Sequence, residues 1–389
     1  MSMAHKIAKK VSDMPPSGIR RFFDIVNEME DVISLGVGEP DFDTPWHIRE
    51  EAIYSLEQGK TIYTANAGLL ALRQEICNYM QRRFNLTYDP TNQALVTVGG
   101  SEGIDISLRV LLDGGEEVLI PEPSFVAYMP CTVFAGGVPV PIETFAENNF
   151  KLTAKQLEEV ITPKSKLLIL PYPNNPTGAI MEKSELEEIA KIIIKHDLLV
   201  LSDEIYAELT YGTEHVSIAS IEGMYERTII LSGFSKAYAM TGWRLGYALG
   251  PIELIAAMTK MHQYALMCAP TTSQYGAISA MKNGDYDVEE MRKSYDARRK
   301  LMINGFRKMG LSCFEPHGAF YVFPSIKETN MTSEQFCEEL LNEEKVAVIP
   351  GNAFGRSGEG YIRCSYAYSI EELKEALTRI ERFVSKKLK

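Results

Sequence analysis

With 389 residues, 45% of them hydrophobic and 24% charged, the chain has ordinary globular composition, which excludes intrinsic disorder and makes two domains the expectation. A formal charge of −12 excludes a broad nucleic-acid surface or an anionic-membrane partner, since either needs clustered Lys and Arg. No apolar run approaches a membrane span and residues 1–10 carry no secretory signal. The scattered cysteines (Cys77, Cys131, Cys268, Cys313, Cys337, Cys364) fit reduced thiols in a cytoplasmic protein, and the histidines show no metal-binding spacing, so no metal is expected.

In chain order, residues 1–31 read as an arm with a short helix at 20–29, broken by Pro15-Pro16-Ser17-Gly18. A short strand at 32–35 runs into the tight turn Gly36-Val37-Gly38-Glu39-Pro40-Asp41-Phe42. Helices are expected at 47–58 and 69–84, with Tyr63 in the loop between them. A strand at 95–98 passes through Gly99-Gly100-Ser101-Glu102-Gly103 into an amphipathic helix reaching 112. Free N–H groups and the positive end of the helix dipole make such a turn a generic phosphate cradle, and its spacing is neither that of a Walker motif nor that of a dinucleotide fold.

Strands follow at 117–121 and 138–142, with Glu122-Pro123-Ser124-Phe125 after the first, then a helix at 153–161. A buried strand at 167–170 leads into Pro173-Asn174-Asn175-Pro176-Thr177-Gly178, and another at 198–201 ends in Ser202-Asp203-Glu204-Ile205-Tyr206. An acid at the end of an apolar strand is costly to desolvate unless it meets a cation, either a buried Arg or Lys or a protonated nitrogen of a ligand.

The strand at 228–231 opens the most polar loop of the chain, Ser232-Gly233-Phe234-Ser235-Lys236 through Thr241-Gly242-Trp243-Arg244. In open α/β sheets ligands bind at the carboxyl ends of strands. A lysine there, with hydroxyls and an arginine beside it, suits an anionic carbonyl compound: the amine condenses with an aldehyde and the arginine holds a phosphate. A strand of reversed sense at 245–249 follows, then helices at 252–264 and 272–282, a break at Gly284 and a long helix at 288–309. The remainder reads as strands at 320–323, 346–349 and 361–365 and helices at 333–342 and 370–386. The expected fold is α/β: a three-layer, doubly wound, mostly parallel sheet over 45–284, with a smaller α+β domain formed by the arm 1–44 and the segment 285–389.

Ser235-Lys236, Met240-Thr241-Gly242-Trp243-Arg244 and Gly246 fill the string S-K-x-x-x-M-T-G-W-R-x-G, which resembles the pyridoxal-phosphate lysine signature of class I aminotransferases. The similarity runs from about residue 20 to 386, with six separated motifs in order. It implies that Lys236 carries pyridoxal 5′-phosphate and shuttles a proton, while Arg244 binds the phosphate with Gly100, Ser101, Glu102 and one of Ser232 and Ser235. Some relatives place that hydroxyl three residues before the lysine, where this chain has Gly233. Phe125 would stack on the cofactor ring, Asp203 would keep the ring nitrogen protonated, and Tyr206 and Asn175 would bond the ring oxygen. Substrate carboxylate would meet the Gly38 amide, Asn175 and a bidentate Arg363. Tyr63 matches a tyrosine that crosses to the partner's phosphate, which implies a homodimer with shared active sites.

The implied activity is ping-pong transfer of the amino group of an aspartate-type or aromatic L-amino acid to 2-oxoglutarate. Acetyl-diaminopimelate aminotransferases are similar too, and a cystathionine-type carbon–sulfur lyase is a further alternative on the same fold. Side-chain selection is expected from Ile19, Arg20 and the partner chain, with Arg20 or Arg109 as cations for a distal carboxylate.

Overall fold

The computed structural model of the chain describes residues 3–16 and 29–388. The expected helix at 20–29 falls almost wholly outside them, as do Ile19 and Arg20. Seven strands form the central sheet: β2 (Ala94–Thr97), β3 (Glu117–Glu122), β4 (Val138–Glu143), β5 (Ser165–Leu170), β6 (Leu199–Asp203), β7 (Thr228–Gly233) and β8 (Gly246–Leu249), in the spatial order β2-β8-β7-β6-β5-β3-β4. All run parallel except β8, which lies antiparallel to both β2 and β7, as its position directly after the lysine loop led us to expect.

Parallel strands buried on both faces need apolar side chains at nearly every position, and their pleat sends alternate residues to opposite layers. Leu167 and Ile169 of β5 join one buried cluster with Val118, Ile120, Leu201, Ile229 and Leu231. Their neighbours Leu168 and Leu170 join a second with Leu119, Val200, Ile189 and Ile193. Helices cover both faces, which makes the three layers. The first cluster meets the helices Gly99–Leu111 and Ile252–Ala265 and the second meets Lys183–Lys195.

A second lobe builds on β1 (Ile33–Ser34), β9 (Tyr321–Val322), β10 (Val346–Ala347), β11 (Ile349–Pro350) and β12 (Ile362–Ser365). Strand β1 pairs parallel with β10, which draws the N-terminal segment into this lobe, and β12 lies antiparallel between β11 and β9. The single strand expected at 346–349 is therefore two, because the chain leaves one sheet at Val348 and enters the other. The helices Asp285–Lys308, Ser333–Glu344 and Ile370–Lys387 pack over these strands. The last begins at a capping box between Ser369 and Glu372 and buries Leu373, Ala376, Leu377, Ile380, Phe383 and Val384 along one stripe.

Candidate active site

The carboxyl ends of β2, β3, β5, β6 and β7 face one cleft of about 470 Å³, closed on the far side by β9 and β12 of the second lobe and by the turn at Gly36 to Glu39. Among its lining residues are Gly38, Gly100, Ser101, Phe125, Asn175, Asp203, Tyr206, Ser235, Lys236, Arg244 and Arg363. Residues up to 327 positions apart in sequence thus converge, since Arg363 donates to the Gly36 carbonyl.

Asp203 is the last residue of β6. Its Oδ2 accepts from the Tyr128 hydroxyl at 2.7 Å and its Oδ1 from the Ile205 N–H at 3.2 Å. Burial pushes its carboxyl above the usual range, against the pull of those hydrogen bonds and of Lys236. The Lys236 amine donates to the Gly38 carbonyl at 2.6 Å and lies 5.5 Å above the Phe320 ring. Burial, with help from Arg363 and Arg244 and against Glu39 and Asp203, lowers its pKa from 10.5 to about 8.

That shift has a kinetic consequence. Condensation with an aldehyde needs the neutral amine, which is about a tenth of the total at pH 7 for a pKa near 8 and about one part in three thousand at the ordinary value. The rate at which the ligand-free protein captures an aldehyde at Lys236, followed by borohydride trapping and peptide mapping, should climb roughly tenfold per unit below pH 7 and level off above pH 8. A rate still climbing about tenfold per unit at pH 9 would mean an unshifted amine.

One end of the cleft is built for an anion. Gly99, at φ +74°, opens the helix Gly99–Leu111, and a Cβ on it would lie 2.6 Å from the Arg244 guanidinium, so glycine is what lets arginine and helix N-terminus share one spot. Arg244 itself takes a left-handed backbone, φ 54°, and donates to the Thr241 carbonyl at 3.2 Å. The side chain of Thr241 in turn donates to Glu39. The first N–H groups of a helix have no intrahelical partner, which leaves those of Gly100 and Ser101 for a ligand.

Two expected residues have side chains placed away from the cleft. Glu102 does not line the cleft: its carboxylate accepts from the Val98 N–H at 2.5 Å and pairs with the fully buried His262, 2.5 Å away, so it caps the helix from behind. Ser232 lies within β7 and donates to the Glu204 carbonyl at 3.3 Å, beneath the sheet end, whereas Ser235 lies past the strand and does line the cleft. The structure thereby separates two serines that the sequence left equal.

The other end suits a carboxylate. Arg363 sits on β12, 4% exposed, with its guanidinium 4.5 Å above the Tyr321 ring and 4.8 Å from that of Phe354. One Nη donates to the Asn175 side chain at 2.9 Å and the other to the Gly36 carbonyl, while Nε has no hydrogen-bond partner among the described residues. A buried, charged N–H without an acceptor is expensive, and a ligand oxygen would satisfy it.

Other expected residues lie elsewhere. Tyr63 is 76% exposed and does not line its own chain's cleft. Arg109 pairs with Asp105 at 2.7 Å one helical turn away and points to solvent. No group of His, Cys, Asp or Glu suited to a metal exists among the described residues, and no described helix is long and apolar enough to cross a membrane. Among the cleft residues not expected from the sequence are Tyr128, which holds Asp203, and Tyr321, whose hydroxyl lies 2.9 Å from that of Tyr206. The available signal was general, that a buried tyrosine must find a partner for its hydroxyl.

A cradle of helix N–H groups with arginine and serine, a condensable lysine beside a strand-end acid, and an arginine with an open N–H together fit pyridoxal phosphate and an amino acid. Comparison with known proteins agrees. The family described as Aminotransferase class I and II matches residues 30–380. An aspartate aminotransferase of Pyrococcus abyssi is 48% identical over 96% of this chain and 96% of its own. Aromatic-amino-acid aminotransferase 2 of Thermococcus litoralis is 45% identical over 98% of this chain and 99% of its own. The structure of the Thermus thermophilus aspartate aminotransferase with maleate superposes with a TM-score of 0.93 at 38% identity, covering 97% of this chain and 99% of that one. The chain belongs to the class I and II aminotransferases, and is a pyridoxal-phosphate-dependent enzyme that transfers amino groups.

Proposed function

We propose that this aminotransferase takes an aromatic or aspartate-type L-amino acid as donor and 2-oxoglutarate as acceptor, both using one site in alternation. The observation that carries the reading is the position of the Lys236 amine, which feels Asp203 and Arg244 on the cofactor side and Arg363 on the substrate side. Arg244, Ser235 and the N–H groups of Gly100 and Ser101 would hold the phosphate. Phe125 would stack on the ring, with Asp203 at the ring nitrogen and Tyr206 and Asn175 at the ring oxygen. When bound, pyridoxal phosphate withdraws electrons from the substrate α-carbon.

The chain's own work is to orient and to move a proton. Arg363 grips the substrate carboxylate through Nε and Nη, supported by Asn175 and the Gly38 amide, and so turns the α-hydrogen toward Lys236. Lys236 takes that proton as a neutral amine and returns it, which a pKa near 8 permits at physiological pH. Asp203 keeps a negative charge beside the ring nitrogen throughout.

Val37, Val126 and Ile205 line the cleft together with the rings of Phe125 and Tyr321. Its described cations are Lys236, Arg244 and Arg363, each with a role already, so the described lining suits an aromatic donor, and a distal carboxylate, whether of aspartate or of 2-oxoglutarate, needs a cation from outside it. Ile62, Tyr63, Leu266 and Met267 form one exposed apolar patch, tied together where Asn66 donates to the Met267 carbonyl and Thr271 to that of Ile62. This patch supports a homodimer in which Tyr63 completes the partner's phosphate site. Six free thiols accord with a cytoplasmic enzyme. The two-domain division at 44/45 and 284/285 is supported by the pairing of β1 with β10 and by the break at Gly284.

Titrating the purified enzyme with phenylalanine, tyrosine, aspartate and glutamate tests the reading. The cofactor's visible absorption should bleach at lower concentrations of the aromatic amino acids and return with 2-oxoglutarate. Absorption that bleaches only with release of pyruvate and ammonia would instead identify the lyase alternative.

A further inference from the structure

Tyr321 lies between the two ends of the cleft. It stands on β9, paired in register with Ser365 on the strand that carries Arg363, and is 1% exposed. Its ring lies under the Arg363 guanidinium, at 4.5 Å, and its hydroxyl meets the Tyr206 hydroxyl at 2.9 Å. The hydroxyl also presses on the N-terminal turn: a Cβ on Gly38 would lie 2.0 Å from it, so residue 38 has to be glycine for the phenol to reach this position. One side chain thus touches the substrate-carboxylate anchor, the turn whose carbonyl holds Lys236, and the phenol next to the cofactor ring oxygen.

The direction of the tyrosine pair follows from counting protons. A phenol has one O–H to donate. In the ligand-free chain either tyrosine can be the donor. Once Tyr206 donates to the cofactor ring oxygen, its own oxygen is left only to accept, and Tyr321 must donate to it. Hydrogen bonds in a chain polarise one another, by roughly 10–30% per bond, so a donating Tyr321 makes Tyr206 the stronger donor and favours the deprotonated state of that ring oxygen.

We propose that Tyr321 is a positioning residue that joins carboxylate binding to the state of the cofactor, its ring holding Arg363 and its hydroxyl strengthening the hydrogen bond that Tyr206 gives. The proposal rests on the roles of Tyr206 and Arg363 given above. It separates the two functions by atom. The oxygen acts on the cofactor, and the ring acts on substrate affinity.

The test uses the holoenzyme and two substitutions. Tyr321→Phe keeps the ring and removes only the oxygen. The pH midpoint of the bound cofactor's absorption change should rise by about half a unit and kcat should fall about threefold to tenfold, with KM for the amino acid within about twofold. Tyr321→Leu removes the ring as well and should add a rise in KM of about tenfold. In a Tyr206→Phe background, Tyr321→Phe should leave the midpoint where the single Tyr206→Phe substitution put it.

A midpoint unmoved by Tyr321→Phe, while Tyr206→Phe moves it, overturns the proposal and leaves the reading of Tyr206 standing. A midpoint unmoved by either substitution overturns the role of Tyr206 itself, and the coupling with it. A merely structural Tyr321 would lower the melting temperature in both variants without moving the midpoint.

Discussion

Lys236→Ala should lower kcat by about 10⁴-fold, the upper end of what one positioned proton-transfer group contributes. The loss should fall on kcat, because the phosphate cradle around Arg244 and the carboxylate anchor at Arg363 do not depend on the amine. It should leave the fold intact as well. Among the described residues the amine donates to the Gly38 carbonyl, and its lowered pKa means that the folded chain holds the charged form less favourably than water does. Steady-state kinetics with a thermal melt checks both halves, and a kcat within tenfold of the parent would remove Lys236 from the chemistry. The same variant tests the shared site. Mixed in equal amounts with Tyr63→Ala under conditions that exchange subunits, it should restore about a quarter of parental activity, because half the dimers then hold one site with both residues native. No recovery on mixing would place Tyr63 outside the partner's site.

Why the lysine was legible and Tyr321 was not is a matter of sequence distance. Lys236, Arg244 and Ser235 lie in one loop after one apolar strand, so their chemistry can be inferred as a unit. Asp203 and Asn175 each stand just past a buried run, and the rule that parallel strands end at the ligand side brings them together without coordinates. The relation of Tyr321 to Tyr206 spans 115 residues and two lobes. It depends on how β9 is seated against β12, which no local pattern encodes. The placement of Ser232 and Glu102 away from the cleft was not legible for a different reason. Whether a serine at the end of β7 faces the cleft or Glu204 depends on the pleat, and a shift of one residue reverses the answer. Glu102 carries the right charge to cap a helix start and the wrong charge to hold a phosphate, and the structure resolves that conflict in favour of capping. Arg109 could be placed by helix spacing alone, since Asp105 stands four positions earlier.

Asp203→Asn should reduce kcat by about 10²–10³-fold, the range for removing one preorganised electrostatic group from a reacting site. The substitution nearly preserves shape, so what it removes is charge and accepting capacity. Both Asp203 oxygens are acceptors now, one from Tyr128 and one from the Ile205 N–H. An amide keeps only one oxygen, so with that oxygen on the Ile205 N–H its NH₂ donates to the Tyr128 hydroxyl, which reverses that hydrogen bond and turns the phenol proton elsewhere. Two readouts distinguish loss of charge from loss of packing. A cofactor analogue with a permanent positive charge at the ring nitrogen should recover at least about tenfold in the Asn variant, since the charge that Asp203 maintains is then built in. A packing defect would recover nothing. The second readout is Lys236. Asp203 is one of the two acidic groups that raise the pKa of that amine, while burial, Arg363 and Arg244 lower it. Removing the carboxylate leaves Glu39 to oppose them, so the Lys236 pKa should move below about 8 and aldehyde capture by the ligand-free protein should level off at a lower pH than in the parent. An unchanged plateau would mean that Asp203 and Lys236 do not share one electrostatic site, and the proposed division of labour between them would fail.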